Sequence, residues 1–398
     1  MTIGDILVRK IFDSRGEPTL EVVVTDSNGR SFSSQIPSGK STGRGEARAF
    51  SFEEAEGVIP ELQRKLRRKR LESVKDCDAH LLDLDGTPDK SRLGGNVMLG
   101  ISIGVGRALA FERKKDLWEV LREEFFPEIR DEKKPHIFSN LINGGAHANN
   151  NLDIQEYMVA VHGKESYVES TSSLERLYKD LGISLRREKN LSGLPLGDEE
   201  GYCVDFEDNF EPIRFIENEI RKAEMVGVMY IALDAAASGF FKEGSYIFDG
   251  KELSRKEMVK VYEDYFSRSK VLASVEDPFA EDDPQGFREL RDALKDKWIV
   301  GDDLTVTDAA RIEKLQESGS INAVIIKPNQ IGTVSEACEA IRVARKYGIK
   351  TIVSHRSGET EDVFIIHLTK AAGADAVKIG APLNERIAKF NELIRLYG

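Results

Sequence analysis

The chain has 398 residues, which exceeds the size at which a single hydrophobic core usually stops growing and therefore indicates two domains. Apolar residues make up 40% and charged residues 32%, a composition typical of a folded globular protein rather than a disordered one. The formal net charge of -12 disfavours nonspecific binding to nucleic acid or to anionic membranes, so an anionic substrate would need local cations.

The first part of the chain predicts a small α+β domain. A hairpin is predicted over 20–36, with its turn at Asp26-Ser27-Asn28-Gly29. A loop rich in small residues, 37–45, follows the hairpin. Helical patterns cover 52–71 and 95–126, and the small residues between 100 and 110 would let the second helix pack closely. We assign residues 1–128 to this domain and 129–398 to the second one.

The second domain predicts a repeated unit of strand, polar residue and helix. Six apolar runs end in a residue that can bind a metal or move a proton, and from the second run onward these residues are 26, 25, 28 and 23 positions apart. The interval before the second run is 42 residues, which leaves room for an inserted hairpin. The six residues are Asp234, Glu276, Asp302, Lys327, His355 and Lys378.

Alternating strands and helices of this kind predict a parallel sheet. A closed (β/α) barrel would collect all of these strand ends around one active site, whereas a doubly wound open sheet would place fewer of them around one point. We therefore predict an α/β fold with a barrel of the TIM type.

Three of the strand ends carry carboxylates, namely Asp234, Glu276 and Asp302. Each one alone could be a helix N-cap. Together they would repel one another and raise their pKa values unless a cation lay between them, and Mg²⁺ prefers hard oxygen ligands of this type. The cluster therefore predicts a magnesium site.

Two further strand ends carry lysines, Lys327 and Lys378. Both could simply anchor a phosphate or a carboxylate. A lysine beside other cations in a site of low dielectric has a lowered pKa, however, and a neutral lysine is a competent base. We therefore predict that Lys327 removes a proton while Lys378 stays charged.

Other segments supply groups that are weaker signals on their own. Gln155-Glu156 and the segment around Glu199 carry carboxylates, and His147 lies in a glycine-rich loop. The segment 354–360, Ser-His-Arg-Ser-Gly-Glu-Thr, is more informative, because a guanidinium, hydroxyls and an imidazole beside a helix start suit a phosphate. It has no Gly-x-Ser-x-Gly elbow of a serine hydrolase.

Taken together, these segments resemble the enolase family over nearly the whole chain. The matching stretches are Asp13-Ser14-Arg15-Gly16, 37–43, Leu84-Asp85-Gly86-Thr87, Asn143-Gly144-Gly145, Gln155-Glu156, Gly197-Asp198-Glu199, Val275-Glu276-Asp277-Pro278, 301–307, 327–333 and 354–362. The last three are the most specific.

The resemblance implies a fold and a reaction. The fold is a small N-terminal α+β domain that caps a modified (β/α)8 barrel beginning ββαα. The reaction is the reversible, magnesium-dependent dehydration of 2-phospho-D-glycerate to phosphoenolpyruvate in glycolysis and gluconeogenesis, through a metal-stabilised aci-carboxylate. Two Mg²⁺ per active site are implied, the second arriving with the substrate.

Residue roles follow from the same resemblance. Asp234, Glu276 and Asp302 would hold the first Mg²⁺, and Ser41 would serve the second one and the substrate. Lys327 would be the base at C2, with Glu199 as the acid at the C3 hydroxyl and Glu156 beside it. His147 would close over the substrate, and Gln155 and Lys378 would lie at its carboxylate. The residues implied around its phosphate are His355, Arg356 and Ser357.

The chain departs from the family pattern at a few places. It is shorter than typical members, Glu200 and Gly239 replace a usual glycine and a usual glutamate, and 202–205 replaces a usual Ala-Pro-Asn stretch. Two other interpretations follow from this divergence. One is a paralogue that acts on another phosphorylated acid, and the other is a noncatalytic enolase-like binding protein.

The cysteine pattern and the lack of a targeting or membrane segment predict where the protein acts in the cell. Cys77, Cys203 and Cys338 form no metal or disulfide spacing, and neither a signal-peptide core nor an apolar run of about 18 residues is present. These features predict a cytoplasmic protein without membrane or nucleic-acid partners. The resemblance adds a homo-oligomer, either a dimer or an octamer.

Overall fold

The computed structural model describes residues 1–40, 43–130, 133–162 and 166–398. The predicted boundary at 128/129 falls between the last helix of the first domain and the first strand of the second, and it stays a prediction. No helix in the described ranges is both long and apolar enough to cross a bilayer.

The first domain begins with an antiparallel sheet in the order β1-β2-β3. Its strands are β1 (Ile3–Phe12), β2 (Pro18–Asp26) and β3 (Ser31–Ile36). The predicted hairpin is the β2–β3 pair, in which Leu20 lies opposite Ile36. Gly29 has a φ of 82° in the connecting turn, a conformation that favours glycine.

The described part of the first domain continues with four helices, and they correct the two helices predicted from the sequence. The helices are α1 (Phe52–Leu66), α2 (Val74–Asp85), α3 (Gly95–Arg113) and α4 (Leu117–Phe125). The single helix predicted over 95–126 is interrupted because Lys114 adopts a left-handed conformation and caps α3. Asp116 and Glu119 then form the capping box that begins α4.

The small residues of α3 allow it to lie directly on the sheet, as predicted. A Cβ atom at Gly100 would come within 2.3 Å of the Val22 side chain, and one at Gly104 within 2.8 Å of Val24. Real Cβ atoms do not approach other atoms so closely, so larger residues at these positions would push the helix away from the sheet.

The second domain begins with two antiparallel strands and two helices, which is the ββαα start that the resemblance implied. The elements are β4 (His136–Asn143), β5 (Glu156–Val161), α5 (Tyr167–Glu188), α6 (Glu211–Lys222) and β6 (Met229–Asp234). β5 pairs antiparallel with both β4 and β6.

A small three-stranded sheet follows β6 and fills the long interval in which a hairpin insertion was predicted. It consists of β7 (Phe241–Lys242), β8 (Ser245–Phe248) and β9 (Lys251–Leu253). The capping box of Ser254 and Glu257 then begins α7 (Arg255–Arg268).

Regular βα units close the barrel, so the predicted closed barrel is confirmed and the open sheet is excluded. The strand order is β10-β11-β12-β13-β14-β4-β5-β6. The remaining elements are β10 (Leu272–Glu276), α8 (Pro284–Ala293), β11 (Trp298–Gly301), α9 (Ala309–Ser318), β12 (Ala323–Ile326), α10 (Pro328–Ile331), α11 (Val334–Lys346), β13 (Lys350–Ser354), α12 (Phe364–Ala372), β14 (Ala376–Ile379) and α13 (Ile387–Tyr397).

The register of the strands brings their polar ends to one rim of the barrel. Glu276 lies opposite Asp234, and Lys378 lies opposite Ser354. Because β5 runs in the opposite direction, its first residue, Glu156, lies opposite Asp234 at the same rim. Inside the barrel, apolar side chains such as Ile325 are fully buried and fill the space below this rim.

A buried carboxylate joins the two domains. Asp78 of α2 accepts hydrogen bonds from the backbone nitrogen and the hydroxyl of Ser335, at 2.8 and 2.6 Å, in the first turn of α11. Burial raises the pKa of Asp78 to about 7, which outweighs the hydrogen bonds from Ser335 and Ser102, and the charge of Glu336 adds to the rise.

This raised pKa predicts a pH dependence of stability. The folded protein holds the Asp78 proton more tightly than the unfolded chain, so the free energy of unfolding should fall as the pH rises from about 4 to about 7, by roughly 1.4 kcal/mol per pH unit at most. Above that range Asp78 should add no further change. Asp78→Asn, which keeps an acceptor for Ser335 but cannot ionise, should lose this slope. Urea unfolding at several pH values measures this dependence. The same change in the free energy of unfolding with pH in both proteins would contradict the prediction.

Candidate active site

A small cavity lies at the polar rim of the barrel. Most of the residues predicted for the site line this cavity, and they come from both halves of the barrel. Those residues are His147, Gln155, Glu156, Glu199, Asp234, Asp302, Lys327, His355, Arg356, Ser357 and Lys378. Glu276 lies just behind the lining, and Ser41 falls outside the described residues.

Lys378 is fully surrounded by carboxylates. Its Nζ lies 3.0 Å from Asp234, 2.9 Å from Glu276 and 3.2 Å from Glu156. Burial lowers the pKa of Lys378, but the three carboxylates outweigh burial and raise it well above its usual value. These contacts favour the charged form of Lys378, the form that the sequence analysis assigned to it.

Lys327 contacts a different carboxylate, Asp302, through its Nζ. Burial lowers the pKa of Lys327, but the charge of Asp302 outweighs burial and the repulsion from Arg356 and Lys378, so the pKa is raised. The sequence-based expectation of a lowered pKa considered the neighbouring cations and omitted this ion pair. Lys327 is thus protonated as long as Asp302 remains its partner.

Asp277 and Asp303 also line the cavity, and sequence reasoning assigned them no role. One oxygen of each lies within 4.8 Å of the others in a group with Asp302 that could hold a metal ion. Asp277 accepts hydrogen bonds from the backbone nitrogens of Asp302 and Asp303, at 2.9 and 2.8 Å, and so fixes the loop after β11. Each of them directly follows a predicted site residue, Glu276 or Asp302, and this position was the signal in the sequence that could have identified them.

The pKa values of this group reflect a shortage of positive charge. Burial and the neighbouring carboxylates raise the pKa of Glu276 and Asp277 well above their usual values and raise that of Asp303 to about 7. Asp302 differs, because Lys327 and Lys378 outweigh its burial and lower its pKa. The carboxylates compete for too few cations.

A second group of titratable side chains consists of His147, Glu156, Glu199 and His355. Oxygens of Glu156 and Glu199 lie within 4.8 Å of each other, and His147 Nδ1 is 3.7 Å from Glu156 and 3.6 Å from Glu199. His355 Nε2 is 3.5 Å from the other oxygen of Glu199. Asn140 donates a hydrogen bond of 3.3 Å to the same oxygen.

The two carboxyls of this group have pKa values shifted in opposite directions. Burial and the charge of Glu199 raise the pKa of Glu156 well above its usual value. The imidazoles and Lys378 outweigh the burial of Glu199 and lower its pKa. Burial also lowers the pKa of both imidazoles, and it outweighs the opposing effect of Glu199. Two carboxyls this close titrate as a coupled pair.

At the other end of the cavity, Arg356 is held by contacts that include Glu46 and Asn329 among the described residues. Glu46 accepts from both terminal nitrogens of the guanidinium, at 3.1 and 3.2 Å, and Asn329 Oδ1 accepts from Nη1 at 3.0 Å. The hydroxyl of the next residue, Ser357, accepts a hydrogen bond from the backbone nitrogen of Lys40 at 3.0 Å. The segment predicted to bind phosphate therefore contacts the N-terminal domain directly.

A short backbone pairing fixes this contact between the domains. Ser38 and Gly358 exchange two hydrogen bonds, of 2.8 and 2.9 Å. A Cβ atom at Gly358 would lie 2.0 Å from Asp13 Oδ2 and 2.5 Å from the Arg15 guanidinium, so only glycine fits. Asp13 in turn accepts hydrogen bonds from Arg15 and from the Ser38 hydroxyl.

Glu200 does not line the cavity. Its side chain accepts a hydrogen bond from Asn384, and burial raises its pKa. Its φ of 65° is in the left-handed region, which explains why a glycine suits this turn.

Glu200→Gly should therefore leave the Michaelis constant for 2-phosphoglycerate within about threefold, which is under roughly 1 kcal/mol. Glycine should relieve the backbone strain at this turn and so raise the free energy of unfolding, whereas loss of the Asn384 bond should lower it. The two effects should partly cancel. Steady-state kinetics checks the first point. An improvement of tenfold or more in the Michaelis constant would mean that Glu200 faces the substrate after all.

The charges around the cavity fit divalent cations. Among the described residues, six carboxylates line it against three basic side chains, Lys327, Arg356 and Lys378. An anionic substrate could not enter such a site unless cations neutralised the excess negative charge. The raised pKa values of Glu276, Asp277 and Asp303 also indicate that the site lacks positive charge. Hard carboxylate oxygens are suitable ligands for magnesium.

Comparison with known protein families gives two matches that divide the chain between them. The N-terminal domain of enolase matches residues 3–121, and the C-terminal TIM barrel domain of enolase matches residues 133–397. These ranges correspond to the two domains of the structure.

Curated relatives extend the similarity over the full length. An enolase of Methanopyrus kandleri is 39% identical over 411 residues, and one of Methanocaldococcus jannaschii is 38% identical over 407 residues. An enolase of Elusimicrobium minutum is 36% identical over 406 residues. These alignments cover 99% of this chain and 94 to 95% of each relative. The chain therefore belongs to the enolase family and is a hydro-lyase of the phosphopyruvate hydratase type.

Proposed function

We propose that this protein interconverts 2-phospho-D-glycerate and phosphoenolpyruvate with the help of Mg²⁺. The observation that carries the proposal is the placement of three kinds of group around one cavity. Lys327 supplies a potential base, the Glu156–Glu199 pair supplies a proton, and Arg356 supplies a cation for phosphate. Membership of the enolase family supports the general reaction and a small phosphorylated substrate.

The first chemical step is the removal of the proton at C2. Lys327 Nζ takes this proton in its neutral form, and the electron pair of the broken C–H bond moves into the carboxylate at C1. A proton next to a carboxylate is very weakly acidic, because the resulting aci-carboxylate carries additional negative charge. When bound, divalent cations would stabilise that charge electrostatically, as they do in enolase-superfamily sites.

The metal would be held by carboxylates of the rim. Asp234, Glu276 and Asp302 are the proposed ligands, and Asp277 and Asp303 are close enough to Asp302 to contribute. Lys378 remains charged among Asp234, Glu276 and Glu156, so it can donate to the substrate carboxylate. Lys327 must give up its proton before the C2 step, and its contact with Asp302 is the interaction that opposes this loss.

The second step is the loss of the C3 hydroxyl. The electron pair returns from the aci-carboxylate to form the C2–C3 double bond, and the hydroxide leaves as water after taking a proton. Glu199 is the proposed donor, and a proton held by the coupled Glu156–Glu199 pair is its source. His147 contacts both carboxyls and would hold them in place beside the substrate. Gln155 lines the same region, and His355, Arg356 and Ser357 would bind the phosphate.

The assay that tests this proposal follows ultraviolet absorbance, because phosphoenolpyruvate has a conjugated double bond and 2-phosphoglycerate has none. Purified protein with Mg²⁺ should produce this absorbance, and Arg356→Gln should raise the Michaelis constant strongly. An absence of product from 2-phosphoglycerate, with another phosphorylated hydroxy acid as a working substrate, would favour the paralogue. Inactivity on every such acid would favour the noncatalytic protein.

Two further properties are proposed from the family alone. The protein would act in the cytoplasm, and it would assemble as a homo-oligomer, either a dimer or an octamer. Light scattering coupled to size-exclusion chromatography distinguishes these assemblies from a monomer.

A further inference from the structure

A chain of buried hydrogen bonds connects Arg356 to Asp302 across the cavity wall. It begins at Glu46, whose two oxygens take one terminal nitrogen each of the guanidinium. The side chain of Glu46 is only 9% exposed and that of Arg356 only 4%. A paired carboxylate of this kind fixes the plane of the guanidinium, because the two bonds must lie parallel.

Glu46 continues the chain through its other contacts. Its Oε1 also accepts from the backbone nitrogen of Gly43 at 3.1 Å and from Gln330 Nε2 at 3.3 Å. Gln330 is completely buried, and its Nε2 donates a second hydrogen bond, of 3.1 Å, to Asp302 Oδ1. Both amide hydrogens of Gln330 therefore join the predicted phosphate end of the site to the predicted metal end.

The carbonyl side of Gln330 is equally constrained. Its Oε1 accepts a hydrogen bond of 2.7 Å from the hydroxyl of Thr307, and the same hydroxyl accepts one of 2.9 Å from the backbone nitrogen of Lys327. Thr307 fixes which way the amide points, so the nitrogen faces the two carboxylates. Gln330 thus touches the surroundings of Lys327, Asp302 and Arg356 at once.

We propose that Glu46 and Gln330 are positioning residues that couple the phosphate-binding guanidinium to the metal-binding carboxylate. Glu46 sets the orientation of Arg356, and Gln330 makes that orientation depend on where Asp302 lies. The inference rests on the proposed function, because it assumes that Arg356 binds substrate phosphate and that Asp302 binds Mg²⁺. Neither positioning residue needs to touch the reacting atoms.

A negative charge beside a phosphate site has a second consequence that can be tested. If Glu46 only competed with the substrate phosphate for Arg356, then its neutralisation would tighten substrate binding. If Glu46 instead orients Arg356, neutralisation should weaken binding, because the guanidinium loses the pair of parallel bonds that fixes its plane. The two roles give effects of opposite sign.

The experiment compares Glu46→Gln, Gln330→Met and the double variant with the full-length wild type. Glu281→Gln is the matched control, because Glu281 also binds the segment before Glu46, through Arg44, and is not in contact with Arg356. Calorimetry measures Mg²⁺ binding without substrate, and steady-state kinetics measures kcat and the Michaelis constant separately. Thermal unfolding confirms that each variant is folded.

Glu46→Gln is expected to raise the Michaelis constant about tenfold with a smaller change in kcat, as loss of a charged hydrogen-bond partner would. Gln330→Met should weaken substrate-free Mg²⁺ binding several-fold, and Glu46→Gln should weaken it in the same direction. The double variant should lose less than the product of the two single losses, because both remove the same connection. Glu281→Gln should change none of these values.

Three results would overturn the inference. They are a lower Michaelis constant in Glu46→Gln, unchanged Mg²⁺ binding in both single variants, and losses that multiply fully in the double variant. If Gln330→Met does not fold, Gln330→Asn keeps the amide while shortening its reach. If the wild type does not convert 2-phosphoglycerate, the proposed function fails, and the Mg²⁺ measurements still decide whether the coupling exists.

Discussion

Lys327→Ala should abolish both the exchange of the C2 proton with solvent and the overall dehydration of 2-phosphoglycerate. Both need the base, and loss of a general base typically costs about 10²- to 10⁴-fold in rate. The cavity offers no obvious substitute among the described residues, because Lys378 is held by three carboxylates and remains charged. Exchange is measured by NMR in deuterated water, and dehydration by ultraviolet absorbance.

Glu199→Gln is the matched comparison. It should block dehydration but leave C2 exchange largely intact, because the acid acts after the proton has left carbon. Glu156→Gln should show the same pattern if a proton held by the pair is needed. Wild-type exchange in Lys327→Ala would show that another group is the base, and loss of exchange in Glu199→Gln would show that this carboxyl acts in the first step.

Removal of Mg²⁺ should abolish activity, and Asp302→Asn should weaken the binding of metal and substrate together. The amide keeps the shape of the carboxylate but lacks its charge, so both the metal site and the ion pair with Lys327 are impaired. We expect a loss of at least about tenfold in Mg²⁺ affinity, measured by calorimetry, since a charged ligand is removed.

Asp308→Asn is the control for this change, because Asp308 caps α9 near the same loop and does not line the cavity. It should leave the Mg²⁺ affinity unchanged. Full activity of the wild type in excess chelator would remove the case for a metal-dependent reaction. Normal metal binding by Asp302→Asn would move the site to other carboxylates of the rim.

The sequence was sufficient to predict the barrel and its polar rim, because parallel strands place their carboxyl ends at one edge. Asp234 and Glu276 are the last residues of β6 and β10, and Asp302 follows β11 directly. Lys327 and His355 likewise follow β12 and β13. Strand pattern and spacing predicted the strand ends and favoured a barrel, and the family resemblance implied its modified form.

Glu156 shows where that reasoning stops. It is the first residue of its strand and reaches the rim only because β5 runs antiparallel to its neighbours. A rule based on the ends of parallel strands cannot find it, and only the family resemblance placed it in the site. Glu46 and Gln330 were missed for a related reason, since their importance depends on contacts between segments far apart in the chain.

The ion pairs of the site could not be predicted from the sequence either. Which lysine lies against which carboxylate depends on side-chain packing, and this choice reverses the expected direction of the Lys327 pKa. The helix predicted over 95–126 was too long, because apolar periodicity continues across Lys114 while the backbone there adopts a left-handed conformation. Local conformations of this kind are decided by capping and tertiary contacts.

The pairing of Ser38 with Gly358 limits how this chain could be recombined with its relatives. A hybrid that joined this N-terminal domain to a foreign barrel would need glycine at 358, since any Cβ there collides with Asp13. It would also need Asp13, Arg15 and Ser38 to be inherited as a set, because they bond to one another. A crossover point between the two domains therefore separates Gly358 from the residues against which it must fit.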